Sequence, residues 1–434
     1  MNIHDALSFL DAHINLEVRT GNYVGLSLDA MTDMAHVWGD PHLSFPVIHI
    51  TGTNGKGSTA RIITRLLMAH GLRVGTYTSP HLERYTERIR LDDEEIDEED
   101  FAALVGELAQ LEPLLKVRPS HFECLTACAL SFFAAEAVDV AVIEVGVMGR
   151  FDATNIVTAD VAVITNIGRD HTDFQGDWRR TIAGEKAGII KPTSTLVLGE
   201  VDDDLRPVFL NEGPAKALVA NEDFELLGNR LAIGGRHLDL ATPYQQLNEL
   251  FLPLHGAHQG TNAALAIMAV SAFFERALDE DVVAEGLAEV RVPGRFEVMG
   301  RNPLVILDGA HNPDGAEAAA AVLEETFHVD GRTTLVCGML EGRDPATMLR
   351  CLGAENFDQV ITATPTSPRA FPADEVALAA ASIGVVARAA PNIETALGWA
   401  LDTAGAADLV LVTGSLYLVG SARTILRARS TRRS

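Results

Sequence analysis

The segment Pro46-Val-Ile-His-Ile-Thr-Gly-Thr-Asn-Gly-Lys-Gly-Ser-Thr59 decides the fold. PVIHIT (46–51) is a short, nearly continuous apolar run without strict alternation, which predicts a strand covered on both faces. After Gly57, residues Ile62, Ile63, Leu66 and Leu67 form an apolar stripe at helical spacing, and Gly71 is placed to stop that helix. Between strand and helix lies TGTNGKGST (51–59). Its glycines let the backbone curl so that N–H groups face a phosphate chain, and the helix N-terminus adds partial positive charge. Lys56 can place a full charge on β- and γ-phosphates, and Ser58 or Thr59 can assist with phosphate or metal. The plain alternative is an ordinary Gly-rich turn. The loop departs from G-x-x-x-x-G-K-[ST], because Ile50 stands where the first Gly belongs and Gly57 follows Lys56. That argues against the common kinases and GTPases.

Further buried strands are predicted at 73–78 (RVGTYT), 139–145 (DVAVIEV), 160–167 (DVAVITNI) and 195–199 (TLVLG). Helical patterns lie between them, so the first part reads as a large doubly wound α/β domain of P-loop type. A second βαβ series follows near 303, with strands PLVILD, TTLVCG, DQVITA and DLVLVTG. Its helices are predicted at about 313–326, 344–352, 372–383, 392–404 and 416–427. This is a smaller Rossmann-like α/β domain, and Arg291-Val-Pro-Gly-Arg295 is a plausible linker. The expected domains are 1–292 and 293–434. The acidic run DDEEIDEED (92–100) reads as a solvated turn leading into a helix capped by Asp97, with a cation site as the alternative. The basic tail RARSTRRS reads as a frayed terminus.

The 434 residues suit two or three domains at roughly 150 residues each. A composition of 47% hydrophobic and 22% charged residues excludes a disordered or collagen-like chain. With 34 basic against 60 acidic residues the net charge is −26, which disfavours nucleic acid and anionic membrane surfaces as partners. Cys124 and Cys128 share one apolar helix face, and Cys337 and Cys351 have no metal spacing, so four buried free thiols are expected. No secretory leader and no apolar run of about 18 residues is visible. A cytoplasmic location is expected.

Four stretches beyond the loop fit a magnesium nucleotide site. Ser79 follows a strand in TSPHL, Glu144 ends DVAVIEV, His171 lies in NIGRDHTD, and Lys186 lies in GEKAGIIK. Parallel strands deliver their C-terminal ends to one edge, where ligands of such folds bind. Oxygen donors suit Mg²⁺.

Taken together, ten ordered motifs resemble the Mur ligase superfamily, in its folylpolyglutamate synthase/dihydrofolate synthase branch. They are GTNGKGS (52–58), TSPHLERYTERI (78–89), HFECLTA (121–127), IEVGVMGRFDATN (143–155), DHTD (170–173), EKAGIIK (185–191), HQGTNAA (258–264), PGRFE (293–297), LDGAHNP (307–313) and VTGSLYLVG (412–420). The sequence departs from the family at Met148, where Gly is usual.

The resemblance implies roles. Thr53, Asn54, Gly55, Lys56, Gly57 and Ser58 would hold ATP phosphates, and Asn262, Arg295 and Asp308 would contact ATP. Ser79, Glu144 and His171 would ligate Mg²⁺, with two ions expected. Lys186 aligns with a lysine that is carbamylated in the family and would support the second. Ser120, His121, Phe122 and Glu123, with Phe151, Asp152 and Ala153, match dihydropteroate-binding stretches. His311 and Ser415 would help the incoming L-glutamate, although His311 could instead cap a helix and Phe122 could be core. The implied reaction joins L-glutamate to dihydropteroate or reduced folates through an acyl phosphate, with domain closure excluding water. A monomer acting on small molecules is expected. The alternatives are polyglutamylation of folates alone, or a homologue that binds nucleotide without catalysis.

Overall fold

The computed structural model describes residues 1–15, 27–169 and 176–431. It divides into two compact units, Met1–Pro253 with His258–Val290, and Leu254–Ala257 with Arg291–Ser434. The short segment 254–257 packs with the second unit although it precedes a helix of the first.

In the first unit, β1 (Val47–Thr51) is buried at every position. It is followed in the chain by β2 (Val74–Tyr77), β3 (Ile89–Leu91), β4 (Glu94–Glu95), β5 (Val140–Glu144), β6 (Val161–Ile164), β7 (Thr195–Leu198) and β8 (Lys216–Val219). The sheet order is β4-β3-β2-β5-β1-β6-β7-β8. β2, β5, β1, β6, β7 and β8 run parallel, and β3 and β4 are an antiparallel edge. The chain leaves β1 toward β2, returns to pair β5 with β1, and then crosses to β6 on its other side. The C-terminal ends of β1, β2, β5 and β6 therefore meet at the switch point, where doubly wound sheets bind ligands.

The helix Lys56–Ala69 buries Ile62, Ile63, Leu66 and Leu67, the stripe read from the sequence. It ends at Ala69, two residues before Gly71, which adopts φ +84°. The acidic run divides. Asp97 caps the helix Glu98–Leu111 by accepting from the Asp100 N–H at 2.8 Å. Asp93, by contrast, is not a solvated turn residue. It sits largely buried between Arg61 (2.5 Å) and Arg65 (3.0 Å).

A three-stranded antiparallel meander, β9 (Glu225–Ala232), β10 (Gly235–Ala241) and β11 (Gln246–Leu252), lies where the sequence shows no buried run. Most of its positions are half-exposed or exposed, so the continuous apolar signature is missing.

The second unit holds β12 (Glu297–Arg301), β13 (Leu304–Leu307), β14 (Thr333–Cys337), β15 (Gln359–Thr362), β16 (Ala387–Ala389) and β17 (Leu409–Thr413), in the order β12-β13-β17-β14-β15-β16. All but β12 are parallel. Helices Pro313–Thr326, Pro345–Cys351, Ala373–Ser382, Ile393–Thr403 and Leu416–Thr431 follow the expected pattern. β17 lies between β13 and β14, so the last strand reaches the middle of the sheet. Cys124, Cys128 and Cys337 are buried, whereas Cys351 is only half-buried and its thiol faces Glu317. Among the described residues no helix is long and apolar enough to cross a membrane.

Packing across β2 gives a test. At Gly75 an added Cβ would lie 2.6 Å from the ring of the fully buried Phe133. Gly75→Ala is expected to destabilise the first unit by about 1–3 kcal/mol through overpacking, read as a shift in the denaturant midpoint. An unshifted midpoint would contradict this packing.

Candidate active site

The loop after β1 is held from three sides. At Gly52, φ is +151° and an added Cβ would lie 1.7 Å from Thr165 Oγ1. At Gly55, φ is +85° and a Cβ would lie 2.3 Å from Asn262 Oδ1. The Thr53 N–H donates to Asn166 O (3.1 Å), and the Asn54 N–H donates to Asn166 Oδ1 (3.0 Å). Thr165 Oγ1 donates to Asn54 O at 2.7 Å. Gly168 N–H donates to Thr53 Oγ1 at 2.9 Å. The loop thus meets the helix Lys56–Ala69 with its backbone fixed, leaving a helix N-terminus suited to an anion.

Lys56 Nζ donates to Gly52 O (3.1 Å) and lies 3.4 Å from Thr53 O, so its ammonium stays over the loop. Ser58 is buried in the first helical turn. Glu144, at the end of β5, is 4% exposed, and its Oε2 accepts the Ser79 N–H at 3.0 Å. A Cβ on Gly57 would lie 3.5 Å from Glu144 Oε2, so Glu144, Ser79 and the phosphate loop share one corner. Burying a carboxylate is costly unless it is hydrogen-bonded or meets a cation. A buried carboxylate and a serine at a phosphate loop are hard oxygen donors of the kind Mg²⁺ takes. Lys186 is also 4% exposed, and its Nζ donates to Gly52 O at 2.8 Å. His171 lies outside the described residues. Among those described, no group of three or more His, Cys, Asp or Glu forms a metal cluster.

The residues expected to face the acceptor lie around β2 and β5. Ser120 and Glu123 form a capping box on the helix His121–Ala135. Ser120 Oγ accepts the Glu123 N–H (3.3 Å) and Glu123 Oε2 accepts the Ser120 N–H (2.6 Å), so both side chains are engaged in the cap. His121 is fully buried, and its ring lies edge-on to Tyr85. Phe122 fills the space that a side chain at Gly146 would need, with 2.5 Å from its Cζ to an added Cβ there. Phe151 is exposed, and Asp152 and Ala153 are buried. Met148 adopts φ +62°, the left-handed region that glycine fills without cost, and its carbonyl accepts from Thr51 Oγ1 at 2.8 Å.

In the second unit, Asp308 is buried at the end of β13 and accepts from Phe296 N–H (3.2 Å) and Ala310 N–H (2.9 Å). Burial pushes its carboxyl above the usual range, and the Arg295 charge works against that shift. His311 Nδ1 donates to Gly309 O at 2.9 Å. Asn312, not His311, caps the helix Pro313–Thr326, through Gly315 N–H at 2.7 Å. Ser415 is buried and its Oγ accepts Tyr417 N–H at 3.2 Å.

Several residues at the site carried no isolated sequence signal. Asn166 satisfies two loop amides from 112 and 113 positions away, visible only as an Asn closing the β6 run. Gln259 Oε1 accepts from Asn262 Nδ2 at 3.0 Å and orients it. Arg88, inside TSPHLERYTERI, is fully buried, donates from Nε to His81 Nδ1 (2.9 Å) and lies over the Tyr85 ring.

Two family models match the chain: the Mur ligase middle domain over residues 50–270, and the Mur ligase glutamate ligase domain over 294–416. Among curated proteins, the dihydrofolate synthase/folylpolyglutamate synthase of Mycobacterium tuberculosis is 39% identical, over 92% of this chain and 90% of the relative. Among solved structures, Mycobacterium tuberculosis folylpolyglutamate synthase complexed with ADP superposes with a TM-score of 0.91 at 36% identity, covering 98% of each chain. A bifunctional folylpolyglutamate synthase/dihydrofolate synthase with Mn, AMPPNP and L-glutamate bound gives 0.85 at 31% identity, again over 98% of both. The phosphate loop, its buried carboxylate and the two sheets thus occur together in a chain that belongs to the Mur ligase family, in its dihydrofolate synthase/folylpolyglutamate synthase branch.

Proposed function

We propose that the protein is an ATP-dependent ligase that joins L-glutamate to dihydropteroate and to reduced folates, giving ADP and phosphate. The observation that carries this reading is the corner where Glu144, Ser79 and the Gly52–Ser58 loop meet. Relatives so named, and one solved with a metal, a nucleotide analogue and L-glutamate, support it.

A carboxylate is a poor electrophile toward an amine. Transfer of the ATP γ-phosphoryl group to it forms an acyl phosphate and releases ADP. The α-amine of L-glutamate then attacks the acyl carbon, loses its proton, and displaces inorganic phosphate. The loop amides and Lys56 neutralise charge on the transferring group. Thr53, Asn54, Gly55, Gly57 and Ser58 hold the phosphates with it. Asn262, Arg295 and Asp308 serve ATP, and His311 and Ser415 serve glutamate. Ser79 and Glu144, with His171, would hold Mg²⁺, which supplies charge neutralisation at the phosphates. No nucleophilic Ser or Cys is needed. We place the enzyme in the cytoplasm as a monomer. Four free cysteines fit a reducing compartment, and the charge of −26 fits small-molecule rather than nucleic-acid partners.

Lys186 is assigned as a carbamate. A cation beside metal ions is repelled, and the neutral amine is the form that adds CO₂ with loss of a proton. The product carries oxygens, which Mg²⁺ prefers, and would support a second ion.

Incubation with ATP, Mg²⁺ and dihydropteroate should release phosphate only when L-glutamate is present, and the same should hold with tetrahydrofolate. Release with the folate alone would narrow the activity to polyglutamylation, and glutamate-independent release with both would sink the ligase reading. Lys186→Ala should lose about 10²-fold in turnover and recover part of it with added acetate, because acetate restores a carboxylate. Lys186→Arg should stay inactive; an active Arg variant would overturn the carbamate.

A further inference from the structure

The strand that carries the phosphate loop also carries a histidine that the reaction chemistry does not use. His49 lies in the middle of β1, paired to β5 on one side and β6 on the other, and has no exposure at all. Its Nε2 is 2.9 Å from Thr154 Oγ1. Thr154 Oγ1 in turn donates its only proton to Asp152 Oδ1 at 2.5 Å. The hydroxyl must therefore accept from His49, which fixes the imidazole as the neutral tautomer with its proton on Nε2. Burial pushes this imidazole down to about 3, and the Lys191 charge acts in the same direction, so it stays neutral at working pH. Among the described residues Nδ1 has no hydrogen-bond partner.

Asp152 uses the rest of its capacity on its own loop. Oδ1 also accepts the Thr154 N–H (3.0 Å), Oδ2 accepts the Val147 N–H (2.8 Å), and the Gly146 N–H is a further donor. A carboxylate offers about four lone-pair sites, and here the chain itself fills them. The carboxylate thus ties Gly146 and Val147 to Thr154 across the intervening turn. Within that turn stand Met148 in its left-handed conformation and the exposed Phe151. Gly149 abuts the next helix, where an added Cβ would lie 2.8 Å from Glu185 O. At a site of packing alone, a buried ring with an unmatched nitrogen is costly and an aliphatic residue would be cheaper. A histidine here is explained by what its N–H specifies.

We propose that His49 is a positioning residue for the acceptor: through Thr154 and Asp152 it sets the shape of the loop Gly146–Thr154 from inside the strand that holds the phosphate loop. This rests on the ligase reading above.

The test is steady-state kinetics on the full chain with dihydropteroate, comparing His49→Leu, Thr154→Val, the double variant and Thr154→Ser. Each single variant should raise KM for dihydropteroate about tenfold, with KM for ATP within about twofold, because a misplaced binding loop loses orientation rather than phosphate contacts. The double variant should be no worse than the worse single one, and Thr154→Ser, which keeps the hydroxyl, should restore a near-normal KM. Should His49→Leu fail to fold, Thr154→Val alone decides, since it is isosteric. An unmoved acceptor KM in Thr154→Val, or KM values for ATP and acceptor that rise together, overturns the role. Wild-type protein that makes no glutamylated product overturns the ligase reading and this role with it. Product from the wild type with unmoved variants overturns this role alone.

Discussion

At Gly52 the end of β1 runs against Thr165, leaving 1.7 Å where a Cβ would be. Three residues on, Gly55 turns left-handed against Asn262. Side chains at either position would push the loop off the switch point, and the corner with Glu144 and Ser79 would open. The same carbonyl, Gly52 O, accepts from both Lys56 and Lys186. One backbone atom therefore places both lysine side chains. This close approach also explains why the loop departs from the common phosphate-binding pattern: its room is set by β6 and by the helix Ala257–Phe274, and not by its own first residue.

What the sequence made legible follows from how local the signal is. Strands β1, β2, β5, β6 and β7 are buried on both faces and read directly as apolar runs. The helix Lys56–Ala69 reads from its stripe and from Gly71. The residues at strand ends, Ser79 and Glu144, follow from topology once the strands are known. What stayed hidden depends on partners far away in the chain. Asn166 looks like any polar residue after a strand until the fold sets it under the loop amides. Asp93 sits in an acidic run that reads as solvated, yet three arginines converge on it, with Arg90 at 4.0 Å completing the set. The meander β9–β11 carries no continuous run because buried residues such as Leu238, Leu240, Leu250 and Leu252 are interspersed with exposed or half-exposed ones, and β-propensity alone is a weak guide there. Ser120 and Glu123, matched to an acceptor stretch, also form the capping box of the helix His121–Ala135.

The loop Gly146–Thr154 joins these themes. It begins two residues beyond Glu144, passes the left-handed Met148, and returns to Asp152, whose carboxylate is filled by three of its own amides and the Thr154 hydroxyl. Its shape is specified from below by β1, through Thr51 on Met148 O and through His49 on Thr154. The strand that leads into the phosphate loop thereby also holds the loop beside it. Such coupling suits a reaction whose intermediate must form where both substrates are already held, since orientation of bound partners is worth several kcal/mol of barrier.

The central claim is that the acceptor carboxylate is activated by phosphorylation. It is tested most directly by labelling both carboxylate oxygens of the acceptor with ¹⁸O and analysing the phosphate released during glutamylation by mass spectrometry. The account predicts one ¹⁸O in each phosphate, because the oxygen that bridges carbon and phosphorus leaves with the phosphoryl group. Amide product accompanied by unlabelled phosphate would contradict it.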